Sequence, residues 1–310
     1  MKKVLIFGIS GFVGTYLARE FLCHEYKVYG SDIRENELLD DSIVFKKAEL
    51  LDYTAVEKLV KEISPDIIIN LAAISSVGLS WNIPQDTIKV NVVGTLNIME
   101  AARKCEHIPK LMLVGSSEEY EVSDKPVGEN TPLNANNPYG ISKLTQERFA
   151  ALYRERYGMK IYCVRPFNHT GVGQKETFVL PSFCRQIADI AKSGREGIIK
   201  VGNLSAERDF SDVRDVVKAY RMILEQGDCN TIYNIGSGVA YSVKELLDYI
   251  ISLCPQKVIT ETDPERYRPV DTPRICCDNG KICSELGWKP DHDIFDTLKE
   301  MYEYYAFGEQ

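Results

Sequence analysis

Histidine is scarce in this chain, four in 310 residues, and its nine cysteines never form a Cys-x-x-Cys pair. With neither residue clustered, no metal site is expected. The cysteines stand singly apart from Cys276 and Cys277, and an odd number without regular spacing is not a disulfide framework. Reduced thiols and a cytoplasmic location are the expectation. No run of eighteen apolar residues occurs, so no membrane span is expected. The net charge of −8 supplies no basic excess for a nucleic-acid partner. It does not exclude a nucleotide ligand, which needs only a few local donors. Residues 1–8 have the basic start and short apolar stretch of a signal peptide. They run straight into glycines and a helical pattern with no small-residue cleavage site, so a first β-strand is expected instead.

What is present is an alternation. Short apolar, β-rich runs at 4–7, 27–31, 67–71, 111–115 and 161–164 are separated by amphipathic stretches such as 15–23, 54–63 and 87–104, with a weaker strand near 44–47. That βαβ rhythm predicts an α/β fold with a parallel, doubly wound sheet covered by helices on both faces. After residue 165 the pattern loosens and prolines interrupt it at 181, 264, 269, 273 and 290. Helices are still expected at 181–192, 212–226, 243–253 and near the C-terminus. The division predicted is a dinucleotide-binding domain over 1–165 and a smaller α/β substrate-binding region over 166–310, with some elements returning to the first sheet.

The first strand leads into Gly8, Gly11 and Gly14 and then a helix. A glycine at the turn lets the backbone fold sharply, and the next ones let a helix N-terminus approach a pyrophosphate. Placed after the first strand of a βαβ unit, they point to a Rossmann-type dinucleotide site; three glycines alone would serve a tight turn equally well. Asp32, eighteen residues past Gly14, falls where an acid meets the adenosine ribose. A carboxylate there favours NAD(H) by repelling a 2′-phosphate, and Arg34 softens that preference. Without the glycines, Asp32 would read as a turn residue.

Tyr139 and Lys143 form a Tyr-x-x-x-Lys sequence at the start of a helical pattern, with Pro138 organising its first turn. Spaced i and i+4, they share one helical face. A nearby ammonium stabilises a phenolate, so Lys143 is expected to lower the Tyr139 pKa and equip it to pass a proton to or from an alcohol or ketone. The strand at 111–115 ends in Ser116, Ser117 and Glu118. Ligands of open α/β sheets bind at the carboxyl ends of strands. Ser116 is therefore placed to hydrogen-bond a reacting oxygen, and Glu118 to act as a base. In isolation the same residues read as a turn followed by two solvated acids.

Together these segments resemble the extended short-chain dehydrogenase/reductase family over nearly the whole chain. The resemblance rests on Gly8, Gly11 and Gly14, on 70–73 (Asn-Leu-Ala-Ala), 91–95 (Asn-Val-Val-Gly-Thr), the serine strand end, Tyr139 with Lys143, and 165–169 (Arg-Pro-Phe-Asn-His). Within the family, 115–120, 167–174 and 200–215 are most similar to reductases of GDP-4-keto-6-deoxy-mannose. The segment 176–179 looks like the substrate loop of the GDP-mannose 4,6-dehydratases, which are usually longer. NADPH-using relatives tend to lack an acid at the place of Asp32.

The resemblance implies an NAD(P)(H) site made of Gly8, Ser10, Gly11, Phe12, Val13, Gly14, Asp32, Ile33, Arg34, Glu49, Leu50, Leu71, Ala72, Ala73, Asn91, Tyr139, Lys143, Pro166 and His169. It implies a GDP-linked sugar held by Ser116, Ser117, Asn168, Val179, Asn203, Arg208 and Arg268, the arginines suiting a diphosphate by their two-pronged hydrogen bonding. Arg208 has an alternative duty in a salt bridge with Asp209 or Asp212. Arg268, in a proline-flanked loop, has few structural duties. The chemistry implied is reduction of the C4 ketone to give GDP-D-rhamnose, with Tyr139 as proton donor, Lys143 holding it, and Ser116 bonding the same oxygen. A 4,6-dehydratase using Glu118 on the C5 proton, or a C4 epimerase, would use the same hydride apparatus. A non-catalytic nucleotide-binding protein on this fold is the third alternative. A homodimer formed through helices 87–104 and 138–157 is also implied, although their apolar positions would serve equally as sheet-facing core.

Overall fold

The computed structural model describes residues 1–36, 39–263 and 272–308. In chain order the first half contains β1 (Lys3–Phe7), α1 (Phe12–Cys23), β2 (Lys27–Asp32), β3 (Val44–Lys47), α2 (Tyr53–Ile63), β4 (Ile67–Asn70), α3 (Val77–Asn82), α4 (Pro84–Ile88), α5 (Gly94–Arg103), β5 (Lys110–Val114), α6 (Pro138–Tyr157) and β6 (Ile161–Pro166). The second half adds β7 (Asn168–Thr170), α7 (Val179–Ser193), β8 (Gly197–Val201), β9 (Glu207–Asp212), α8 (Val213–Gln226), β10 (Ile232–Ile235), β11 (Ala240–Ser242), α9 (Val243–Ser252), β12 (Val258–Thr262), β13 (Arg274–Ile275), α10 (Gly280–Leu286) and α11 (Ile294–Phe307).

Seven strands make one sheet in the order β10-β6-β5-β4-β1-β2-β3, every pair parallel. Successive side chains on a strand face opposite ways, so a sheet covered on both sides needs strands apolar throughout. Val4 and Ile6 enter the core shared with α1 and α8, while Leu5 and Phe7 enter the core shared with α2, α5 and α6. Ile67 and Ile69 against Ile68, and Met112 against Leu111 and Leu113, divide in the same way. This is the doubly wound parallel sheet that the alternation predicts. From the second half, α8, α10 and β10 return to this sheet. A third core joins α7, α9 and α11 to β8 and Phe210, and a small fourth one gathers Tyr120, Val127, Phe167 and Cys277.

The helix expected at 87–104 is interrupted. α4 passes into a single π-helical turn, Lys89–Val93, before α5 begins. The cause lies in Asn91, which is buried and turned toward the loop after β4. Its amide accepts from Ile74 N–H and donates to Ile74 O and to Ser142 Oγ. The wider turn releases the Asn91 carbonyl, which takes hydrogen bonds from the Thr95 hydroxyl and the Gln146 amide. The small strands β7 to β9 and β11 to β13 have no counterpart in the periodicity. Most are two to five residues long, and they pair only within local sheets.

α6 carries the central motif and is well defined at both ends. Asn137 accepts from Gly140 N–H at 2.9 Å, Pro138 occupies the first turn, and Gly158 closes the helix in the left-handed region at φ 63°.

Candidate active site

A cleft of about 1980 Å³ runs along the carboxyl ends of β1, β2, β4, β5 and β6 and is closed on its far side by β7, α7, β9 and the 202–206 loop. At one end Gly8, with φ 81°, turns the chain out of β1, and a Cβ there would sit 2.6 Å from Ala72 N. Gly14, in the first turn of α1, lies so close to the preceding turn that a Cβ would press on Ile9 O and sit 2.6 Å from Gly8 O. Both positions therefore demand glycine. α1 starts at Gly11 with no side-chain cap and no acid in its first turn. Its uncapped N–H groups and dipole face the cleft, the arrangement that receives a diphosphate.

The end of β2 forms the next part of the wall. Asp32 accepts from Ile33 N–H at 2.7 Å and from Ser10 N–H at 3.3 Å, which ties it to the glycine turn. The Ser10 hydroxyl in turn donates to Arg34 O. Glu49, Leu50, Leu71, Ala72 and Ala73 continue the wall, Pro166 and His169 face them, and the Phe12 ring stacks on the His169 ring at 6.4 Å. Burial lowers the His169 pKa and favours the neutral ring, while its hydrogen bond to Phe167 O pulls the other way. Asn91 does not reach the cleft. Its amide is taken up by Ile74 and Ser142, so it supports the wall from behind, and Val90 is the neighbour that lines it.

At the middle of the cleft Ser116, Ser117, Glu118, Tyr139 and Lys143 come together. The Ser116 side chain lies beside the Tyr139 phenol and pulls its pKa down. The Lys143 ammonium donates to Val114 O at 2.7 Å and lies 5.7 Å from the centre of the Tyr139 ring. Glu118 Oε2 accepts from the Asn137 amide at 2.8 Å.

The electrostatics correct one expectation. In the protein alone the Tyr139 phenol is not lowered by Lys143 but raised. Burial is the main cause, Ser116 pulls the other way, and Glu119 and Glu118 add to the rise. Burial also lowers the Lys143 pKa to about 8, with Glu119 opposing it. Desolvation of a shared buried pocket outweighs the attraction between the two groups. The pair is thus a weak acid beside an ammonium that is itself close to losing its proton.

Beyond the middle, Asn168, Val179, Asn203 and Arg208 form the far wall. Asp209 is taken up by Ser237, Gly238 and Cys277, and Asp212 by Arg214 and Thr297, so neither expected salt bridge draws Arg208 inward. Its guanidinium donates to Glu207 O and lines the cleft. Arg268 lies outside the described residues. The sequence patterns miss Lys175, Phe178, Leu204, Tyr220 and Tyr304, which also line the cleft. They come from loops and helix faces without a local motif, and only the tertiary fold brings them in. Among the described residues no group of three or more His, Cys, Asp or Glu side chains is arranged to hold a metal, and no helix is long and apolar enough to cross a membrane.

Comparison with known proteins identifies relatives over nearly the whole chain. The family model described as GDP-mannose 4,6 dehydratase matches residues 5–301. The chain is 29% identical over 301 residues to the GDP-6-deoxy-D-mannose reductase of Pseudomonas aeruginosa, covering 96% of this chain and 95% of that one. It is 29% identical to a GDP-mannose 4,6-dehydratase of Vibrio cholerae over 346 aligned positions, 97% of this chain and 92% of that one. A solved structure of RMD from Pseudomonas aeruginosa complexed with NADPH superposes with a TM-score of 0.86 at 26% identity, covering 99% of each chain. The fold is that of the extended short-chain dehydrogenase/reductases. The chain belongs to the GDP-mannose 4,6-dehydratase family.

Proposed function

We propose that this protein is an NAD(P)H-dependent reductase of the 4-keto group of a GDP-linked 4-keto-6-deoxy-hexose, giving GDP-D-rhamnose from GDP-4-keto-6-deoxy-D-mannose. The observation that carries this is the meeting of Ser116, Tyr139 and Lys143 at the end of β5, in the same cleft as the glycine turn and the uncapped start of α1. The cradle fits a nicotinamide dinucleotide. Gly8 and Gly14 leave no room for side chains where the diphosphate must approach, and Asp32 stands where the adenosine ribose hydroxyls would lie. When bound, the reduced cofactor supplies the hydride. Tyr139 donates the proton that the C4 oxygen needs, through a phenol that burial keeps protonated. Ser116 hydrogen-bonds that oxygen and Tyr139 together. Lys143, anchored on Val114 O, places its charge beside the phenol as negative charge develops. Asn168, Asn203 and Arg208 are the far-wall groups suited to the nucleotide diphosphate and sugar.

The spacing of the aligned segments favours reduction over dehydration. Alignment to the Pseudomonas reductase closes within 301 positions, whereas alignment to the Vibrio dehydratase extends to 346, more than the chain possesses. One feature favours the second reading: Glu118 lines the cleft near Tyr139, where a dehydratase would need a base for the C5 proton. Incubation with GDP-mannose and catalytic NAD(P) separates the two. A reductase leaves GDP-mannose intact, and accumulation of the 4-keto-6-deoxy product would establish the lyase. A homodimer through the helices at 87–104 and 138–157 is part of the proposal. Ile88 and Val93 on the first, and Ile141 and Leu152 on the second, are large apolar side chains left exposed, at 38%, 43%, 47% and 57%. Light scattering at the mass of one chain would reject it.

A further inference from the structure

Beneath Ser116 lies a cluster of ionisable groups that the proposed reaction does not use. Ser116 caps one 3-10 turn, Ser117–Glu119, and Glu119 Oε1 accepts from Ser116 N–H at 2.7 Å. The Ser116 hydroxyl closes the same box by accepting from Glu118 N–H. Glu119 is fully buried. Its second oxygen, Oε2, has no hydrogen-bond partner, and Arg165 Nε stands 3.5 Å away. Arg165, also buried, gives its guanidinium to Glu147 instead, with bonds of 2.9 and 2.6 Å. Glu147 lies one helical turn beyond Lys143 on α6. A Cβ built on Gly115 would lie 2.5 Å from Glu119 Oε1 and 3.0 Å from Glu147 Oε1, so the two carboxyl groups converge on one point. Burial first, and then the neighbouring Glu147 charge, raise the Glu119 pKa.

Two carboxyl groups and one guanidinium share this dry space. With both acids ionised, these three groups carry a net negative charge and Glu119 Oε2 has no donor. One proton removes both faults, because it neutralises the cluster and turns the orphaned oxygen into a donor.

We propose that Glu119 keeps a proton, hydrogen-bonds through it to Glu147, and acts as a positioning residue that sets the Ser116 amide and hydroxyl against Tyr139, with Arg165 clamping the pair from β6. This rests on Ser116 and Tyr139 serving the reaction proposed above. The groups facing Glu119 are Ser116 and Glu118 on its own turn, Tyr139, Lys143 and Glu147 from α6, and Arg165 from β6, whose guanidinium covers the Tyr120 ring at 4.6 Å. After burial, which dominates both shifts, an ionised Glu119 would raise the pKa of Tyr139 and of Lys143. A proton on Glu119 keeps that field away from the proton donor.

Glutamine at 119 reproduces the protonated acid, since its oxygen can accept from Ser116 N–H and its amide can donate to Glu147. Glu119→Gln is therefore expected to keep kcat and its pH profile within about two-fold. Glu119→Ala is expected to lower kcat by about ten-fold or more with the cofactor Kd unchanged, because the Ser116 turn loses its anchor. Equal losses in the two variants, or none in the alanine variant, overturn the positioning role. Infrared spectra decide the proton itself without substrate or turnover. The carbonyl band of a protonated carboxylic acid should be present at neutral pH in the wild type and missing in Glu119→Gln. Identical spectra overturn the proposal even where the alanine variant fails to fold. Absence of turnover on every nucleotide sugar would instead defeat the reductase reading and leave the infrared result standing.

Discussion

Replacing Lys143 by methionine should make the protein inactive and more stable. Lys143 is 4% exposed, and burial lowers its pKa from 10.5 to about 8. That depression corresponds to about 3 kcal/mol of strain carried by the charged form below pH 8. Methionine fills similar space without the charge. Against this stands the lost hydrogen bond to Val114 O, which leaves a carbonyl unsatisfied at a cost of about 1–3 kcal/mol. The pH dependence separates the two terms. The folded state binds fewer protons than the unfolded state between the two pKa values, so wild-type stability rises with pH across that window. The advantage of Lys143→Met should therefore shrink by about 2 kcal/mol between about pH 7.5 and 9.5. Urea unfolding of both proteins without cofactor, at several pH values, measures this directly. A difference that stays constant or widens with pH would refute the buried-ammonium argument.

Three further outcomes are expected. Tyr139→Phe should lower kcat by about 100-fold or more while leaving the cofactor Kd unchanged by fluorescence titration, and retained turnover would remove Tyr139 from the proton step. Gly14→Ala should weaken cofactor binding by about ten-fold or more, because its Cβ meets the backbone of Gly8 and Ile9 and the start of α1 must move; equal affinity would mean that the turn does not hold the diphosphate. Asp32→Ala should shift the ratio of kcat/KM for NADH over NADPH toward NADPH, and an unchanged ratio would show that Asp32 does not choose the cofactor.

The sheet was legible because its strands are buried on both faces. Runs such as the three isoleucines at 67–69 have to be apolar on both faces, and the helices between them keep their period. The glycine turn and the Tyr139–Lys143 pair were legible because each is a local spacing on one element. The π-helical turn was not. Nothing in the 87–104 pattern announces that Asn91 must leave the helix ladder to hold Ile74, 17 residues earlier. The state of Tyr139 and Lys143 was also hidden, because spacing on a helix conveys proximity but not the desolvation that dominates both groups. Glu119 looked like one of two solvated acids. Its burial depends on Arg165, which β6 brings beneath it through parallel pairing with β5. The far wall depends on strands too short to show a period and on the end of α11, where Tyr304 reaches the cleft.

The most direct test of the central claim is to incubate the purified protein with GDP-4-keto-6-deoxy-D-mannose and NADH or NADPH in parallel, following loss of the reduced nicotinamide absorbance. The account predicts oxidation of one cofactor in a one-to-one ratio with substrate, with GDP-D-rhamnose as product. Firm cofactor binding with no net oxidation would contradict it, and would move the assignment to a cofactor-recycling dehydratase or epimerase.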